Sequence, residues 1–239
     1  KGHEIIASVR SLKDGKTVYT SNGQTTITHS ISNSDKEQMI SGEWASIIPW
    51  STENPNLYVA KLELKNPEGK IVQTRETRIG FRTVEFFPQD GVYLNGTKLV
   101  VKGINRHSFS VDGGRTTSAA LSRMDALLIK EMNMNAVRSH YPPDEHFLDM
   151  CDSLGLVYMD ELAGWQNGYD SRVGAKLVKE MIERDVNHPC IILWSNGNEG
   201  GWNTQTDPLF AQYDRLQKRL GYTSLSYLSD RRSTFHQWL

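Results

Sequence analysis

This 239-residue chain lacks any excess of one charge, any dense cysteine framework and any long apolar run. Lys and Arg number 27 against 28 Asp and Glu. That balance gives no electrostatic footprint for nucleic acid or for an anionic membrane surface. The only two cysteines, Cys151 and Cys190, lie in separate segments among apolar neighbours. They read as buried thiols rather than as a disulfide or a metal pair, and they leave the compartment open. No stretch is long enough to cross a bilayer, and no charged-then-apolar leader stands at Lys1. A leader can be lost from a segment of a longer protein, so its absence assigns no localisation.

What the chain does contain changes character near residue 83. Before it, short alternating segments recur at Glu4–Val9, Thr25–Ile31, Leu57–Leu64 and Ile71–Phe81. Apolar residues of Tyr58-Val-Ala-Lys-Leu-Glu-Leu64 return with period two, and Asn66-Pro67-Glu-Gly69 supplies a turn. Strands at this spacing predict a small antiparallel sandwich over residues 1–82. After residue 83 strand alternates with helix. Leu99–Ile104 precedes Ser118–Met132, in which Leu121, Met124, Leu128 and Met132 recur at helical spacing. Ala136–Ser139 leads to Asp144–Leu154, Leu156–Asp160 to Val173–Val186, and Ile191–Ser195 to Asp207–Lys218. These are four βα units of an α/β layer.

The run Asp185-Val-Asn-His-Pro-Cys-Ile-Ile-Leu-Trp-Ser-Asn-Gly-Asn-Glu199 carries the chemistry. Pro189 cannot continue a helix, and Cys190–Leu193 has the length of a buried strand. That strand opens into a polar corner ending Asn198-Glu199. A carboxylate just beyond a parallel barrel strand stands where such barrels keep their catalysts. With an amide beside it, it offers a proton donor for a glycosidic oxygen and a partner for a hydroxyl. A bare Asn-Glu pair would read better as a solvated loop rich in Gly and Asn; the fifteen-residue context reverses that preference.

This context resembles glycoside hydrolase family 2, the family of β-galactosidases, β-glucuronidases and β-mannosidases. Three further stretches are similar to it: Asn135-Ala-Val-Arg-Ser-His-Tyr-Pro142 with Gly155-Leu-Val-Tyr-Met159, then Val101-Lys-Gly-Ile-Asn-Arg-His-Ser108 with Gly114-Arg115-Thr116, and Pro49-Trp-Ser-Thr-Glu-Asn-Pro-Asn-Leu-Tyr58. The resemblance covers about Trp50 to Arg219. It implies a multi-domain β plus α/β fold, with an immunoglobulin-like β-sandwich (1–82) followed by the first half of a TIM (β/α)8 barrel (83–219). Residues 220–239 form an atypical tail without Lys or Glu, and no next barrel strand is evident there. A genuine short terminus or a change of reading frame would account for it.

The resemblance also assigns residues. Glu199 becomes the general acid/base of a retaining β-glycosidase, and Asn198 the amide that bonds the sugar 2-hydroxyl, although Asn198 is also suited to capping the following turn. His107 and His140 would bind substrate hydroxyls; singly, each would read as a core histidine satisfied by backbone. Arg138 would pair with a carboxylate and hold the site in shape. The family has two small residues between this arginine and the histidine, whereas only Ser139 stands here. That spacing predicts that Arg138 or His140 is displaced unless a bulge absorbs the change. Asp160 and Glu161 end the third strand, where either can touch substrate or brace loops through an arginine, the bracing role falling to Asp160. Trp165 is a sugar platform or a cover for the barrel end. Some galactosidase relatives bind magnesium through Glu and His in this loop, but Leu162-Ala-Gly-Trp-Gln166 offers neither. No metal and no cofactor are therefore expected.

Retaining hydrolysis needs a second carboxylate, which the family draws from a strand well beyond the fourth. The expectation is therefore a β-galactosidase-like hydrolase of terminal β-linked sugars, truncated here, without its nucleophile and inactive by itself. Its partner is a carbohydrate, with neither nucleic acid nor membrane, and homo-oligomerisation stays open. The alternative is a non-catalytic carbohydrate-binding or interaction module built on the sandwich.

Overall fold

The computed structural model describes residues 3–21, 25–27, 42–163, 171–195, 197–198 and 226–227. The chain forms two compact units, Lys1–Pro49 with Asn56–Phe81, and Trp50–Pro55 with Arg82–Leu239.

In the first unit, β1 (His3–Ser11), β2 (Thr17–Ser21), β3 (Thr25–Ile27), β4 (Gly42–Trp44), β5 (Tyr58–Lys65) and β6 (Ile71–Ile79) form one antiparallel sheet. Its order is β4-β2-β1-β5-β6, with β3 also paired to β1. Period-two alternation buries Ala7 and Val9 of β1 with Val18, Tyr19 and Tyr58, and Phe81 packs against them. The Tyr58 and Phe81 rings meet edge to face at 5.3 Å. The Tyr58 hydroxyl accepts from Ile48 N at 2.9 Å, which satisfies its polar tip. Asn66 closes the β5–β6 hairpin by accepting Lys70 N at 2.8 Å on its side chain. β6 is exposed from Ile71 to Thr77, so its apolar residues do not line a core there.

The second unit begins with a meander the sequence reading did not separate from the barrel. β7 (Val84–Phe87), β8 (Gly91–Leu94) and β9 (Thr97–Leu99) form a three-stranded antiparallel sheet. Asn95 and Gly96, both at positive φ, make the tight turn that an Asn-Gly pair favours. The first parallel strand is therefore β10 (Gly103–Asn105), later and shorter than the expected Leu99–Ile104. It is followed by α1 (Ala119–Glu131), β11 (Ala136–Arg138), α2 (Glu145–Leu154), β12 (Val157–Glu161), α3 (Ser171–Asp185), β13 (Ile191–Ser195) and β14 (Ser226–Tyr227). The parallel sheet runs β10-β11-β12-β13-β14 in sequence order. Sequential parallel strands joined by helices are the wall of a β/α barrel.

β14 corrects the sequence reading, which found no strand after the fourth. Ser226 and Tyr227 pair with Leu193 and Trp194. Two residues without an apolar run leave no periodic signal, since the pairing is made by backbone alone. The expected helix Asp207–Lys218 lies outside the described residues.

Ser118 caps α1 by accepting Leu121 N at 3.1 Å. The helix matches the periodicity but buries a different face from the apolar stripe. Ser122, Ala126 and Ile129 are buried, while Met124, Leu128 and Met132 are about half exposed. Small side chains let this face approach its neighbours closely, and the larger ones are left at the flank.

The residues between β4 and β5 that belong to the second unit anchor α2. Trp50 is fully buried and donates its indole N–H to Asp152 O at 2.8 Å. Gly155 ends α2 at φ 70°, and a Cβ there would meet the Thr52 carbonyl oxygen at 2.3 Å. Gly155→Ala combines left-handed strain with a backbone clash, each costing about 1–3 kcal/mol. A lower urea midpoint with an unchanged m-value is the expected result.

Candidate active site

The site is built at the C-terminal ends of β11, β12 and β13, the end at which parallel barrels place function. Asp152 sets the register from the opposite end by accepting Cys190 N at 3.0 Å and bonding His188 Nδ1 at 2.6 Å. Arg82 adds bonds to the Pro189 carbonyl at 2.6 Å and to Ile191 O. With the start of β13 held, Ser195 falls opposite Glu161 of β12.

Glu161 is completely buried. Its Oε2 accepts from Arg138 Nε at 2.9 Å and from Ser195 Oγ at 2.9 Å, and Arg138 Nη2 stands 2.8 Å away. Its Oε1 meets His140 Nδ1 at 3.2 Å. Burial would be costly for a lone carboxylate, and here a guanidinium and the Ser195 hydroxyl compensate it. Arg138 Nη2 also donates to Asn198 Oδ1 at 2.9 Å. Because the arginine occupies the amide oxygen, the Asn198 NH2 is the group left to donate to a ligand.

The predicted displacement of Arg138 or His140 does not occur, because both reach Glu161. β11 ends at Arg138 and the chain bends at His140, which brings both side chains to the carboxylate. The intervening Ser139 turns the other way, bonding Tyr158 OH at 2.5 Å and Tyr141 O at 2.6 Å. His107, exposed after β10, faces His140 with ring centroids 5.1 Å apart and tilted by 35°. Glu199 and Trp165 lie outside the described residues.

Alternation on β12 also separates the two acids of Asp160-Glu161. The sequence reading gave the arginine brace to Asp160, yet the carboxylate held by Arg138 is Glu161. Asp160 is fully buried near Asp185, which Arg184 grips through bonds of 2.7 and 2.6 Å. Burial, then the neighbouring Asp185 charge, pushes the Asp160 carboxyl well above the usual range. Asp160 accordingly belongs to the wall, whereas Glu161, paired with Arg138, belongs to the mouth. Glu161 had only an open role in the sequence, and Ser139, Tyr141 and Ser195 had none. The alternation of Tyr158-Met-Asp-Glu161 was an available signal, but the β12–β13 register was not.

Asp149, Asp152 and His188 bring ligand-type atoms within 4.8 Å of one another. Asp152 is already engaged by His188 and Cys190 N. The group is at the strand-start end, where barrel residues serve stability.

Buried charge compensation, an amide offered outward and two adjacent imidazoles suit a ligand rich in hydroxyl groups. Residues 4–82 match glycosyl hydrolases family 2, and residues 88–220 match the TIM barrel domain of that family. A β-galactosidase of Thermoanaerobacterium thermosulfurigenes is 42% identical over 150 residues, which are 61% of this chain and 20% of that protein. A putative β-glucuronidase of Formosa agariphila is 34% identical over 206 residues, covering 82% of this chain and 20% of its own length. Among solved structures, Bacteroides uniformis β-glucuronidase 3 superposes with a TM-score of 0.71 at 28% identity, over 94% of this chain and 29% of that one. The chain thus spans about a fifth of the length of these curated relatives.

Proposed function

We propose, for a chain that belongs to glycosyl hydrolase family 2, that the mouth around Glu161 is the acid/base half of a retaining β-glycosidase site. Its substrate class is a terminal β-linked sugar, with β-galactosides the first choice. Glu199 protonates the departing glycosidic oxygen and then deprotonates the water that releases the sugar from the covalent intermediate. Asn198 donates its amide N–H to the sugar 2-hydroxyl, a contact that strengthens as positive charge develops at the anomeric carbon. His107 and His140 hold a further hydroxyl. Trp165 packs on the apolar face of the ring, and no step requires a metal or a cofactor.

The Arg138–Asn198 bond is the observation that carries this reading. It gives the amide one orientation and joins it to the charge-compensated Glu161. Glu161 is ill suited to be the nucleophile, since it is buried and both oxygens already have partners. The family draws its second carboxylate from a strand beyond the fourth, and that role is assigned to a residue other than Glu161.

The test compares this chain with a parent protein in which it is joined to a complete barrel. Aryl β-galactoside should release nitrophenol with the parent and not with the 239-residue chain. Release by the chain itself, abolished by Glu199→Ala, would place the nucleophile within it. A folded parent inert towards aryl β-galactosides and β-glucuronides would count against the glycosidase assignment altogether.

A further inference from the structure

We propose that His107 and His140 are held as opposite tautomers, and that Tyr141 is the positioning residue that sets His107. The proposal rests on the reading that both imidazoles face the sugar. It adds which nitrogen of each ring carries the proton.

The first half follows from Tyr141. Its hydroxyl oxygen accepts the Ser108 backbone N–H at 2.9 Å. The hydroxyl hydrogen then needs an acceptor, and His107 Nδ1 lies 3.3 Å away. A donation from Tyr141 makes Nδ1 the bare nitrogen, so the His107 proton resides on Nε2. Tyr141 is well placed to impose this choice. Arg115 stands 4.8 Å over its ring, and its backbone carbonyl accepts from Ser139 Oγ, which is shared with the buried Tyr158 hydroxyl. The phenol is thus fixed at its face, at its backbone and at its tip.

The second half follows from Glu161. An ionised carboxylate only accepts, so its Oε1 at 3.2 Å requires the proton on His140 Nδ1. Arg138 Nη2 stands 2.8 Å from Oε2 of the same carboxylate, the geometry of an ion pair. An imidazole whose single proton is on Nδ1 presents a bare Nε2.

Two imidazoles 5.1 Å apart consequently offer unlike groups, an N–H from His107 and a lone pair from His140. A hydroxyl both donates and accepts, so one sugar hydroxyl satisfies both at once. An ether or a deoxy position satisfies at most one. A site built to bond a hydroxyl strongly rejects the analogue lacking it, and this pair forms such a reader.

Tautomers can be read without any sugar. The chain, labelled with 15N-histidine, is sedimented and measured by magic-angle-spinning NMR near pH ~8, above the ordinary imidazole value. This readout does not depend on assembly state. Resonances are assigned by their loss in His107→Gln and His140→Gln. The wild type should show His107 protonated on Nε2 and His140 on Nδ1. In Tyr141→Phe, His107 should pass from one tautomer to a mixture and lose the shift of a hydrogen-bonded Nδ1, with His140 unchanged. Matching tautomers in the wild type, or a His107 signal that Tyr141→Phe does not move, would overturn the proposal. The glycosidase reading stands or falls separately on turnover by the parent.

Discussion

Glu199→Gln should lower turnover of an aryl β-galactoside with a poor leaving group by roughly 10²- to 10⁴-fold in a parent carrying a complete barrel, the range of general acid catalysis. Glutamine preserves size and hydrogen bonding but has no proton to transfer to the glycosidic oxygen. The loss should shrink as the leaving group becomes more acidic, because a nitrophenolate departs with little protonation. Deglycosylation would then limit the rate, since the same residue serves as base towards water. Azide should restore part of it by attacking the intermediate without base assistance. An equal loss across leaving groups, with no azide effect, would remove Glu199 from the acid/base role.

Glu161→Ala should have the largest effect on folding. It removes the acceptor for Arg138, Ser195 and His140 together. Breaking a buried pair from one side costs about 3–5 kcal/mol, because the remaining charge is left uncompensated. The lower part of that range applies, since the Arg138 side chain keeps 22% of its exposure and can recruit water. Arg138→Leu combined with Glu161→Leu should cost less than the sum of the single changes, as no orphaned charge remains. Urea titrations of the four proteins measure this coupling. Additive losses would mean that Arg138 and Glu161 do not act as a unit.

These two residues differ in how visible they were before the structure. Glu199 stands in a long contiguous motif, where strand, break and carboxylate are read along one line of sequence. Glu161 is adjacent to a second acid, and nothing local says which of the two faces the mouth. The same holds for α1. Its period was plain from Leu121, Met124, Leu128 and Met132, yet Ser122, Ala126 and Ile129 form the buried face. Periodicity reports that a helix has faces, and packing partners decide which one is covered. The one-residue difference between Arg138 and His140 misled for a related reason. The expected displacement assumed regular strand geometry, whereas β11 ends at Arg138 and the following residues are free to turn.

Sequence alone determined the order of the parts and their class. Alternation before residue 83 and strand-helix rhythm after it specify a sandwich and a parallel barrel wall, and the Asp185–Glu199 motif carries the family resemblance. All three depend on neighbours along the chain, which the period and spacing of residues encode directly. Only the tertiary structure decided that Glu161 is the compensated charge, that Arg138 orients Asn198, and that Tyr141 reaches His107. Those contacts join residues 23 to 60 positions apart through the register of separate strands. That register is set by packing at the far end of the sheet, around Asp152 and Cys190, and no local pattern at the mouth records it.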